Sequence, residues 1–149
     1  MPKEIYYILA MMAGLAVAVQ TGANAQLRQI VNSPIITALI SFLVGTIILL
    51  VYVILTSRQL IPAPNVLSQI SWWKWLGGIM GAFYITTVVI VAPKIGAANT
   101  LGFIVAGQLI AAVVFDHLGW IGFVIRPINV WRVLGVVFLI LGVYLIRRQ

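Results

Sequence analysis

Gln20 and Asn24 stand four residues apart, about one turn of a helix, inside a run that is otherwise apolar and rich in alanine and glycine. A carboxamide carries two donors and an acceptor, so in apolar surroundings it must bond either a neighbouring helix or a polar solute. Gln108 is a third such group, preceded by Gly107 and about one turn from Ala111 and Ala112. Tyr84 adds a hydroxyl, and Gly77, Gly78 and Gly81 clear space one or two turns before it. Asp116 and His117 are adjacent and include the one histidine and one of only two acids. An acid beside an imidazole can relay protons, since imidazole titrates near neutrality. The competing account is a surface pair held by Arg126 or Arg132.

These parts do not assemble into an enzyme. One histidine, two acids and no cysteine cannot supply a metal site of ordinary ligand count. Neither a phosphate-binding glycine loop nor a serine elbow occurs, and no cofactor or metal is expected. No carboxylate falls at the middle of an apolar run either, so a carrier that exchanges protons for a cation has no evident residue.

The elements that must position these groups follow from the composition. Of 149 residues, 63% are hydrophobic and 7% charged, with mean hydropathy +1.16; an ordinary soluble domain carries about 25% charged residues. So few charges cannot cover a water-facing surface. Apolar runs near the roughly 20 residues that cross a bilayer as a helix predict an all-α integral membrane protein. Five transmembrane helices are expected in one membrane domain, over about 5–26, 34–56, 72–92, 97–115 and 130–146. Tyr6 and Tyr7 open the first at interface depth, Ser33 and Pro34 start the second, and Arg58 stops it. The girdle "WWKWLGG" leads into the third, which Pro93 and Lys94 end, while "DHLGWIGFVIRPIN" reads as an interfacial excursion before the fifth.

Within the first helix, Gly14, Ala18 and Gly22 form a small-xxx-small series beside the Gln20/Asn24 face, a geometry that favours close helix packing. Ala23-Asn24-Ala25 also has the look of a signal-peptide cleavage site. Glu4 nearly neutralises the charged start, however, and the two amides share a helical face, so the segment is expected to be retained as a membrane helix.

The net charge of +7 is spread one or two residues at a time between the apolar runs, which argues for membrane anchors and against a nucleic-acid partner. Five spans put the termini on opposite sides. One side then receives Lys3, Arg58, Lys74, Arg126 and Arg132, and the other Arg28, Lys94, Arg147 and Arg148. Orientation normally follows a Lys/Arg excess on the cytoplasmic side. A difference of one residue gives almost no instruction, which leaves either a weakly biased single orientation or insertion both ways up.

The runs "GLAVAVQTGANAQLRQIVNSPIITALISFLVG", "WWKWLGGIMGAFYITTVVIVAPKIGAA", "VAGQLIAAVVFDHLGW" and "WRVLGVVFLILGVYLI" together resemble the YdcZ family of the drug/metabolite transporter superfamily. The resemblance covers nearly the whole chain. Gln20, Asn24, Gly77, Gly78, Gly96, Gly107, Gln108, Asp116, His117 and Gly135 fall at positions characteristic of that family. It implies five-helix half units that occur as single dual-topology chains, as pairs of oppositely oriented chains or as fused ten-helix proteins, mostly labelled exporters. With the near-even charge count, the expectation is an antiparallel, dual-topology homodimer in a bacterial inner membrane that moves a small polar or amphipathic solute by alternating access. On that plan Gln20, Asn24, Tyr84 and Gln108 line the cavity, whereas Gly14, Gly22, Gly77, Gly81, Gly107, Gly135 and Gly142 pack helices. A small dual-topology channel and a non-transporting assembly or accessory protein are the alternatives.

Overall fold

The computed structural model describes residues 2–56 and 64–148. Among the described residues the regular structure is entirely helical. Helix α1 spans Lys3–Val31, α2 Pro34–Thr56, α3 Leu76–Ile95, α4 Ala97–Leu118 and α5 Val130–Arg147. A 3-10 turn at Trp72–Trp75 leads into α3, a single helical turn occupies Pro64–Leu67, and another 3-10 turn covers Trp120–Gly122. Among the described residues, five helices are long and apolar enough to cross a membrane.

The junction between α1 and α2 is built from three residues suited to it. Asn32 takes the left-handed conformation at φ 56°, which asparagine tolerates, and its N–H donates to the Arg28 carbonyl at 2.8 Å. Ser33 follows, and its Oγ accepts from the Ile36 N–H at 3.3 Å, capping a helix whose first residue is Pro34. The first helix was expected to end near Gln26 and instead reaches Val31. Hydropathy marks where a segment leaves hydrocarbon; it does not mark where hydrogen bonding stops, and Gln26, Arg28 and Gln29 are good helix formers. For the same reason α4 runs past Phe115 to Leu118, where Gly119 turns it at φ 64°. Arg58, expected to stop the second helix, lies outside the described residues.

Pro93 was expected to end the third helix, yet α3 continues through it to Ile95. Proline removes one helical donor, the N–H that would bond the carbonyl four residues back. That carbonyl belongs to Val89, and the Arg28 guanidinium donates to it instead, Nη1 to oxygen at 2.7 Å, with a second contact to the Ile90 carbonyl at 3.2 Å. The gap is filled from a neighbouring helix.

The chain divides into two compact units, Met1–Pro93 and Lys94–Gln149. In the first, α1 packs on α2, and α3 meets α2 where a Cβ placed on Gly81 would lie 3.4 Å from the Phe42 ring. Its buried residues include Thr21 and Asn24 on α1, Thr37 and Ala38 on α2, and Ile85, Val88, Val89 and Ala92 on α3. The two threonine hydroxyls donate back to carbonyls one turn earlier, Thr21 to Val17 at 2.9 Å and Thr37 to Ser33 at 2.8 Å, so neither is left wanting. In the second unit α4 packs on α5, and Val143 fits against Gly102, where an added Cβ would stand 3.2 Å from it. Few residues of any span are buried, so most of the apolar side chains point outward. That is the inverse of a water-soluble fold and fits a chain whose solvent is lipid.

Candidate functional site

Thr21, Asn24 and Arg28 share one face of α1, at positions i, i+3 and i+7. Asn24 is 4% exposed, and its Nδ2 has no hydrogen-bond partner among the described residues. Arg28 is half-buried and reaches α3 through the two carbonyl contacts already described. Tyr84, half-buried on α3, stands one turn before the fully buried Val88.

Gln20 does not share this setting. It is exposed, and it borders a shallow groove between α1 and α2 with Ser41, Phe42, Gly45, Thr46 and Leu49. A single Gln20/Asn24 face was expected. A step of four residues overshoots a full turn by about 40° at 3.6 residues per turn, which is enough to leave Gln20 exposed while Thr21 and Asn24 are buried.

Gln108 sits near the centre of α4 and is exposed, next to Gly107, where an added Cβ would meet nothing within 4 Å. Exposure here means exposure within one chain. A carboxamide facing hydrocarbon without partners costs about 4 kcal/mol or more.

Asp116 and His117 end α4 without bonding each other. The Asp116 carboxylate accepts from Arg132 Nη2 at 3.2 Å, the sole ion pair among the described residues, and its backbone carbonyl accepts from the Arg126 N–H at 2.8 Å. Arg132 also donates to the Arg126 carbonyl at 3.2 Å, and the Asn129 side chain caps α5 by accepting from the Arg132 N–H. His117 Nδ1 accepts from the Ile128 N–H at 3.3 Å. Acid and imidazole therefore both fasten the 119–129 connection to the end of α4, an arrangement with the geometry of a tether. The Asp116 and Arg132 side chains are about a quarter exposed. Replacing Asp116→Asn is accordingly expected to lower unfolding free energy by no more than about 1 kcal/mol, as for other partly solvated pairs. Thermal unfolding in detergent checks this, and a loss above about 3 kcal/mol would mark the pair as buried in the working assembly.

The glycines expected to pack helices divide in a similar way. Gly81 lies against Phe42, but Gly14, Gly22, Gly77, Gly107, Gly135 and Gly142 each have open space where a Cβ would go. Within one chain they do not serve as close-packing positions, because the neighbouring helices approach on other faces. Gly102, not singled out by the sequence, is the closest glycine contact between α4 and α5. Arg28 was likewise read only as a flanking charge. The signal that could have found it was Pro93, which guarantees an orphan carbonyl one turn earlier. Among the described residues no three His, Asp or Glu side chains gather to hold a metal.

Residues 5–145 match a family model described as "Putative inner membrane exporter, YdcZ". The chain belongs to the YdcZ family. It is 26% identical over 137 residues to the inner membrane protein YdcZ of Escherichia coli (strain K12), a match covering 92% of this chain and 91% of that one. No solved structure matches it. With five apolar helices, this YdcZ-family chain is a multi-pass inner-membrane protein of the transporter class.

Proposed function

We propose that two copies of this chain pair in opposite orientations and move a small polar or amphipathic solute across the inner membrane by alternating access. The observation that carries the reading is Gln108, an uncovered carboxamide at the centre of a membrane span with open space at the preceding glycine. A bilayer cannot satisfy that amide, and a second subunit or a solute can. The nearly even division of lysine and arginine between the two sides supports opposite orientations, since neither way of inserting is strongly favoured. An odd-span unit and its inverted copy form an inverted repeat with a polar site near the midplane. Exchange of roles between the two halves then supplies two conformations of equal energy, as a carrier cycle needs. Gln20, Asn24, Tyr84 and Gln108 are the residues assigned to solute in this reading, and the open faces at Gly14, Gly22, Gly135 and Gly142 are assigned to helix packing between subunits.

Orientation is the decisive measurement. The native chain has no cysteine, so one added after Gln149 can be labelled cleanly with an impermeant thiol reagent in intact and opened cells. Comparable labelled populations from the two sides are expected. Labelling from one side alone would exclude the antiparallel homodimer.

A further inference from the structure

Two donors on the buried face of α1 are not matched by acceptors. Asn24 Nδ2 is buried and unpartnered among the described residues. One turn on, Arg28 holds two backbone carbonyls through Nη1 alone, and neither Nη2 nor Nε has a partner among the described residues. Neutral carbonyls solvate a guanidinium but do not neutralise it, and the one ion pair among the described residues is elsewhere, between Asp116 and Arg132. A half-buried guanidinium held only by neutral groups favours a counter-charge.

Pro93 accounts for part of this arrangement. It orphans the Val89 carbonyl, and Nη1 fills the gap. A helix patch needs one N–H, however, and explains neither the free fork of the guanidinium nor the buried amide beside it. A planar guanidinium with a carboxamide one turn away matches an oxyanion, to which arginine can present two parallel N–H groups. The opposite sign has no comparable site, since the whole chain carries two acids, Glu4 near its start and Asp116 tied to Arg132.

We infer that Arg28 and Asn24 form an anion-recognition site on α1 that selects solutes bearing a carboxylate, with Arg28 exchanging its carbonyl partners on α3 for the solute. This rests on the transporter reading for its physiological meaning, though not for its test. The Val89 and Ile90 carbonyls hold the guanidinium in place while no anion is present, and the apolar body of the solute is left to the surrounding span.

The test uses full-length protein purified in a neutral maltoside detergent, with 4-phenylbutyrate as the probe and 4-phenylbutylammonium as its cationic counterpart of like shape, read by equilibrium binding. Wild-type protein is expected to bind the carboxylate at least tenfold more tightly than the cation. Arg28→Gln is expected to weaken carboxylate binding at least tenfold, Asn24→Ala severalfold, and Arg28→Lys less than Arg28→Gln. Pro93→Ala returns an N–H to the Val89 carbonyl and is expected to keep wild-type binding. Combined with Arg28→Gln, it restores stability without restoring affinity. Wild-type affinity in that double variant would overturn the proposal and reduce Arg28 to a helix patch, as would equal binding of the cation. Displacement of the probe by phosphatidylglycerol at equimolar amounts would overturn the solute assignment in favour of a lipid headgroup. Carboxylate binding by a protein that moves no solute in liposomes would uphold the site while removing the transporter reading.

Discussion

Gln108→Leu is expected to abolish flux through reconstituted protein, lowering initial rates by about 100-fold for any solute that the wild-type chain moves. The magnitude follows from the loss of one or two hydrogen bonds in a dehydrated site, about 1.5–3 kcal/mol when the partner is charged, where each 1.4 kcal/mol is a factor of ten. Leucine removes the only polar group near the middle of α4 and makes the span more apolar, so insertion and folding should be unimpaired. Gln108→Asn keeps the amide but shortens its reach, and an intermediate rate is expected from it. Dimer content, read by cross-linking in membranes, separates the two roles that the amide can have. Lost flux with an intact dimer assigns Gln108 to solute. A dissociated dimer assigns it to the subunit interface, where an amide in hydrocarbon finds its partner across helices.

Gly119→Val is expected to be the most destabilising single change outside the spans, by about 2–3 kcal/mol. Gly119 ends α4 at φ 64°, with its N–H donating to the Phe115 carbonyl. An L-residue there costs about 1–2 kcal/mol, more when β-branched. A Cβ would also stand 2.7 Å from Ile125 Cγ1. Since Ile125 is itself exposed, part of that clash is relieved by rotation, and the steric share is about 1 kcal/mol. The double variant Gly119→Ala, Ile125→Ala isolates the backbone share by thermal unfolding in detergent. Complete recovery of stability in it would show that backbone conformation contributes nothing. The change also bears on the tether, because the left-handed turn at Gly119 is what returns the chain so that the Arg126 N–H meets the Asp116 carbonyl and the Ile128 N–H meets His117.

Where legibility ended can be seen in particular residues. Ser33-Pro34 announced a helix start because capping and a fixed proline φ are local chemistry, and the structure places α2 at Pro34. Pro93 announced a helix end by the same local logic. The expectation failed because a residue more than sixty positions away supplied a donor, which no local rule contains. Gln20 and Asn24 looked equivalent from spacing alone, and tertiary packing left one exposed and the other buried.

By itself the sequence determined that this protein lives in a bilayer, as five helices with polar groups at a handful of places. Lipid imposes that outcome: a backbone in hydrocarbon must bond itself, and the length and hydropathy of a run decide whether it does so as a spanning helix. Tertiary structure alone decided which polar groups matter together. Asn24 was buried and Arg28 reached α3, Asp116 found Arg132 and not its neighbour His117, and Gly102, not the more regularly spaced glycines, took the close contact with Val143. In lipid most of each helix's surface is apolar whichever way it turns, so the hydrophobic pattern that orients a helix in water is nearly silent, and steric fit and a few hydrogen bonds fix the rotation instead.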